Sequence, residues 1–234
     1  MKHLKLNLKL FVFIVAFVFC IENVVAQEAN EKSSFSINAV GLSLGWYNPS
    51  LDYWKEKSEF TDAGFGGAVH VRGFLDIRIL KNLHGQVGIG YWQSSVEEDL
   101  QGFGNTKLLI TGIPVSIDFQ YYLEPLKFSI ITPYIGAGGE FSFIQHKLNF
   151  EEKENPDPET GSTFLGNGAV GIEARLSENF TMGLDFKYKL GNYNQEFRTE
   201  VTDPENPALP IYEIVDEKIS LNGPYIGISF KYLI

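Results

Sequence analysis

The stretch Pro224-Tyr225-Ile226-Gly227-Ile228-Ser229-Phe230-Lys231-Tyr232-Leu233-Ile234 decides how this chain is read. Ile226, Ile228, Phe230, Tyr232 and Ile234 share one face, and Tyr225, Gly227, Ser229, Lys231 and Leu233 share the other. A period of two with one apolar face describes a β-strand. Left at an edge, such a strand would present a row of unpaired backbone groups to other chains. It is therefore expected to close a sheet onto the first strand, about Phe35 to Trp46. There the register breaks. Val40, Leu42, Leu44 and Trp46 lie on one face, but Phe35, Ile37 and Ala39 lie on the other. A bulge near Ala39 reconciles the two halves.

Six more stretches alternate in the same way: Gly64–Ile79, His84–Gln93, Lys107–Tyr121, Ile131–Phe143, Thr163–Leu176 and Phe180–Leu190. Their connections alternate in length. Tyr47–Asp62, Ser94–Thr106, Ile144–Ser162 and Gly191–Glu217 are long, whereas Leu80–Leu83, Tyr122–Phe128 and Ser177–Asn179 are short. Sequential antiparallel strands with tight turns at one end and long loops at the other predict an all-β fold. The expected form is an eight-stranded antiparallel up-and-down transmembrane β-barrel.

The amino terminus has Lys2, Lys5 and Lys9, then an apolar run from Leu10 to Ile21, then small residues at Val24-Val25-Ala26. That order predicts a secretory signal peptide over residues 1–26. The apolar run is short of the roughly 20 residues needed to span a bilayer as a helix. Residues 27–234 then form one barrel domain without cysteine, carrying 28 acids and 16 bases for a net charge of −12. An exported chain without thiols has neither disulfides nor zinc-thiolate sites. Its acidity excludes nucleic acid as a partner.

Alternation alone does not say which face meets lipid, because a soluble barrel puts its apolar face inside and a membrane barrel puts it outside. The polar face settles the matter. It carries Arg72, Asp76, Arg78, Asp118, Glu140, Glu173, Arg175, Asp185, Lys187, Lys189 and Lys231 along the strands, six bases against five acids. Unpaired charge is costly in a lumen, so near-balance predicts an ionic network that fills it. Glycines on that face, such as Gly88, Gly112, Gly138 and Gly227, leave room for the long side chains. Aromatics at the strand ends predict two interfacial girdles: Trp46, Tyr47, Tyr91, Trp92, Phe141, Phe143 and Tyr188 at the loop end, and Phe119, Tyr121, Phe128, Phe180, Phe230 and Tyr232 at the turn end. An eight-stranded barrel is just wide enough to be filled by side chains, so a plugged lumen is expected.

The long loops, with Lys218 just past the fourth, hold nineteen acids and six bases, a balance of −13 that accounts for essentially the whole net charge. Such loops form a solvated rim, and carboxylates there suit divalent cations or an extracellular protein partner. No twelve-residue calcium loop is present, and no metal site is expected from His70, His84 and His146, which lack ligand spacing. His70 and Asp76 lie about 20 Å apart along one strand and cannot act together. The chain has no Gly-x-Ser-x-Gly, P-loop or dinucleotide fingerprint. No catalytic residues and no cofactor are expected.

The segment Thr132-Pro133-Tyr134-Ile135-Gly136-Ala137-Gly138-Gly139, the turn after Ile79 and the terminal Gly227-Ile228-Ser229-Phe230-Lys231-Tyr232 resemble the outer-membrane β-barrel domain family of Gram-negative bacteria, the porin-like and OmpA/OmpX-like group. The resemblance implies location in the outer membrane, lipid and the assembly machinery as partners, and a monomer. It implies a structural or surface-interaction role. Three other readings compete: a narrow channel for small solutes, a lipid-modifying enzyme and a soluble lipocalin-like binder.

Overall fold

The computed structural model describes residues 36–56, 66–100, 104–151, 157–202 and 210–234. The expected signal peptide and most of the loop tips lie outside the described residues. Eight strands form the barrel: β1 (Ser36–Tyr47), β2 (Ala68–Arg78), β3 (Leu83–Leu100), β4 (Gly104–Tyr122), β5 (Ile131–Phe150), β6 (Glu159–Arg175), β7 (Phe180–Leu190) and β10 (Gly223–Leu233). Each pairs antiparallel with its sequence neighbour. The exception is β10, which follows β7 in the ring and closes it against β1. The closing register sets Leu44 opposite Ile228 and Gly41 opposite Lys231. The expected bulge is present, as a register shift between Ile37 and Ala39. It turns Ile37 and Val40 outward and buries Ala39.

The apolar face points out. Leu42, Ile89, Ile117, Val170, Phe186 and Ile228 are all exposed on the outer wall. The polar face is inside, where Asp76, Asp118, Glu140, Lys189 and Lys231 are buried. Alternating parity therefore carries through the whole ring. Two girdle assignments need correction. Tyr47 and Trp92 are fully buried inside the barrel, whereas Trp46 and Tyr91 face out. Consecutive strand residues point to opposite faces, so only one of each aromatic pair can reach the lipid interface.

The strands are also longer at the loop end than the alternation predicts. The stretches 94–106 and 144–162, expected as loops, are mostly continuations of β3, β4, β5 and β6. Above the lipid band the outward residues become polar, as at Gln93, Ser95, Glu97, Gln145 and Lys147, while Val96, Leu108, Ile110 and Ile144 stay apolar inside. The polar-out, apolar-in pattern there is the reverse of the pattern within the bilayer, and that hid the strands. The fourth long loop adds a two-stranded hairpin, β8 (Asn192–Thr202) with β9 (Pro210–Ser220). The first contains a short helix, α1 (Asp52–Glu56).

Glycine on the inner wall makes space for side chains lying across it. Most of those side chains are aromatic rather than the basic ones expected: Phe74 lies over Gly41, Tyr225 over Gly45, Tyr134 over Gly171 and Trp92 over Gly112. Gly138 is different, because a methyl there would overlap both Asp118 Oδ1 and the Ile117 backbone. Gly138→Ala should therefore cost the barrel about 1–3 kcal/mol through forced displacement, read as a lower urea midpoint for unfolding from lipid vesicles.

Candidate functional site

The lumen contains two ionic clusters. The cluster nearer the turns centres on Lys231. Its Nζ lies 2.8 Å from Asp76 and 2.6 Å from Glu173, and it donates to Tyr122 Oη at 2.8 Å. Asp76 also accepts from Asn38 at 3.1 Å and pairs with His84 Nδ1 at 2.7 Å. The second cluster centres on Asp118, which meets Arg72 at 3.0 Å and Lys187 at 2.9 Å and accepts from Asn167 at 2.9 Å. Gln86 links the two. It accepts from Arg72 at 3.1 Å and donates to Gln120 at 2.9 Å and Asp76 at 3.4 Å. One rung higher, Lys189 donates to both oxygens of Glu140, at 2.9 and 2.8 Å. Its Nζ sits 4.5 Å from the centre of the Tyr47 ring. Tyr134 donates to Asp185.

Of the residues expected in the network, Arg72, Asp118 and Lys187 come together, as do Asp76, Glu173 and Lys231. Glu140 and Asp185 are bonded separately. Arg78 and Arg175 are a correction: each is the last residue of its strand, exposed at the turn rim. Arg78 donates to Ser36, and Arg175 donates to the carbonyls of Ser177 and Glu178. Sequence reasoning left out His84, Gln86, Gln120, Tyr122 and Tyr134. Gln120, Tyr122 and Tyr134 share strand parity with the charges expected on β4 and β5, and His84 and Gln86 share that of the inward Gly88 on β3, so parity alone could have found them. His70 is buried with its ring 5.2 Å from that of Tyr225, and neither ring nitrogen has a partner among the described residues.

The space left among Ser43, His70, Arg72, Asp118, Lys187 and Tyr225 is a cavity of about 20 Å³. That is room for about one water. At this level of the lumen, charged side chains that pair across the barrel thus leave room for little more than a water.

Above this plug lies an apolar core. Trp92, Leu108, Ile110, Ile144 and Leu165 of the wall pack with Leu51, Trp54, Tyr193, Ile219 and Leu221 from the loop elements. The cap is tied down by backbone bonds: Ser50 N–H donates to Asn222 O at 2.8 Å, and Leu51 N–H to Ser220 O at 2.9 Å. Asp52 accepts from Ser220 N–H at 2.8 Å. Leu51 adopts a φ of 47°, which a leucine rarely takes. Its complete burial holds it there.

His146 belongs to this cap and not to a loop. It points inward from β5 at a rung whose outward neighbours, Gln145 and Lys147, are polar, so it stands above the lipid band. Its ring packs 5.5 Å from Trp54 and 5.2 Å from Tyr193, and its Nε2 is bonded to Tyr193 Oη. Ile110 on β4 and Glu159 on β6 are its ladder partners. Burial pushes its pKa down from 6.5 to about 4, while burial raises that of Glu159. The folded cap therefore holds fewer protons on His146 than the opened cap at pH between those two values. Stability from this group is complete above about pH 6.5 and falls as the pH drops toward about 4, by about 3 kcal/mol at most. Limited proteolysis of α1 should speed up across that window in wild type. It should not do so in His146→Phe.

Among the described residues, no three His, Cys, Asp or Glu side chains are grouped to hold a metal. The sequence profile of a family described as "outer membrane protein beta-barrel domain" matches residues 11–206. Among solved structures, the outer membrane protein OprG of Pseudomonas aeruginosa superposes with a TM-score of 0.59 at 13% identity, over 86% of this chain and 98% of that one. The Neisserial surface protein NspA superposes with a TM-score of 0.49 at 12% identity, over 87% of this chain and 100% of that one. No curated protein matches.

Proposed function

This chain belongs to the outer membrane protein β-barrel domain family, and on that premise we propose that it is a sealed integral barrel of the outer membrane that works through its acidic outer face. The carrying observation is the lumen: a residual cavity of about 20 Å³ below a buried apolar cap. A filled, paired lumen suits a scaffold. Solute passage would have to break the Asp118 cluster, the Lys231 cluster and the cap together.

The outer face takes its character from the loops, with nineteen acids against six bases when Lys218 at the edge of the fourth is included. Glu97, Asp99, Glu151, Asp157, Glu196 and Asp216 stand exposed there. A surface of that sign suits an extracellular protein with a basic patch, or divalent cations that bridge it to other anionic surfaces. The role is structural or interactive, not enzymatic: the one Asp–His pair inside among the described residues, Asp76 with His84, is committed to Lys231. Residues 1–26 are the export signal, removed before Gln27, and the barrel acts as a monomer inserted by the outer-membrane assembly machinery.

Removal of that signal also removes the chain's sole cysteine, so introduced cysteines report topology cleanly. In intact cells a membrane-impermeant maleimide should label Glu196→Cys and leave Lys81→Cys unlabelled until the outer membrane is breached. The reverse pattern, or labelling of a soluble fraction, would overturn the proposed orientation.

A further inference from the structure

We infer that the turn-side mouth of the barrel is a dead-end pocket for an anionic group, a phosphate or a carboxylate. A vestibule of about 620 Å³ opens there, within the range of roughly 300–1,000 Å³ typical of small-molecule sites. It ends on the Lys231 cluster, so it leads nowhere. Its rim holds four cations, Arg78, Lys81, Lys127 and Arg175, against Glu124 and Glu178. The remaining carboxylate, Glu173, shares Lys231 with Asp76 at the floor, so rim and floor together keep a net charge of +1.

Among the described residues, Lys81, Lys127 and Arg175 enter no ion pair. Arg175 spends its Nε and Nη2 protons on two backbone carbonyls, at 3.3 and 3.0 Å, which leaves its charge uncompensated. This excess of positive charge lies at the opposite end of the molecule from the acidic loops.

A second observation points to a ligand. Thr181 lines the same vestibule with its side chain buried, and its hydroxyl has no partner among the described residues. Buried hydroxyls ordinarily find one. A threonine donor beside arginine and lysine is a set that complements the oxygens of a phosphate or carboxylate. Both a soluble anion and an inner-leaflet lipid headgroup supply that chemistry.

Amide NMR of residues 27–234 in maltoside micelles tests the pocket with inorganic phosphate and acetate, then in nanodiscs of phosphatidylcholine with and without phosphatidylglycerol. Saturable shifts at Thr181, Ser177 and Lys127 are expected. Arg175→Gln with Lys127→Gln should weaken binding about tenfold, and Thr181→Val should weaken it severalfold, while Lys107→Gln at the far end should not. Shifts with free anions identify a soluble ligand, and shifts with phosphatidylglycerol alone identify a lipid headgroup; either upholds the pocket. Absence of saturable shifts in both arms would overturn it. So would shifts that the double variant and Thr181→Val leave unchanged.

Discussion

Asp118→Ala should destabilise the barrel by about 3–5 kcal/mol, the usual cost of stripping one partner from a buried ion pair. Asp118 is the shared carboxylate of Arg72 and Lys187, all three being nearly inaccessible to solvent. Its removal leaves two cations facing each other inside the ring, with Asn167 deprived of its acceptor. Asp118→Asn should cost less, because an amide keeps a carbonyl for Asn167 and the cations. The triple replacement Arg72→Met, Asp118→Leu, Lys187→Met should recover most of the loss, since buried ion pairs exchange for apolar side chains at little net cost. Reversible urea unfolding from lipid vesicles measures all three. A single-variant loss below about 1 kcal/mol would place these charges in water, where ion pairs count for little.

Trp92→Ala should cost a comparable amount, about 3–5 kcal/mol. Trp92 is fully buried. It stands edge-on to Tyr47 at 5.5 Å, and its indole occupies the space that Gly112 leaves open. The deletion leaves a cavity at the junction of cap and plug. Because few backbone bonds tie the cap to the wall among the described residues, part of the loss should appear as local opening. Protease sensitivity of α1 should increase while the barrel still resists heat in detergent. Trp92→Phe, which keeps an aromatic filler, should lose less than half as much.

Parity made most of the ring readable from the amino acids. Lys231 lies on the lumen side because Ile228, Phe230 and Tyr232 alternate around it, and the break at Ala39 marks the bulge where β1 shifts register against β2. Pairing partners were not readable. Asp76 and Glu173 reach Lys231 from β2 and β6, and only the closed circumference brings those strands together. The cap was invisible for a different reason. Leu51 and Trp54 sit in a loop with no period, and their partners Ile110, Ile144 and Ile219 lie where strand alternation reverses between membrane and water. His84 stands at the very start of β3, and nothing local announces Asp76 across the ladder.

Single-channel recording in a planar bilayer tests the central claim, a sealed lumen, most directly. Wild-type barrel, inserted and verified by its heat-modifiable migration, should give no steady conductance step at neutral pH, because the cavity among the paired charges at mid-lumen has room for about one water. Trp92→Ala should add only brief flickers as the cap opens above an intact Asp118 cluster. A large, steady conductance from the wild-type protein would contradict the sealed barrel.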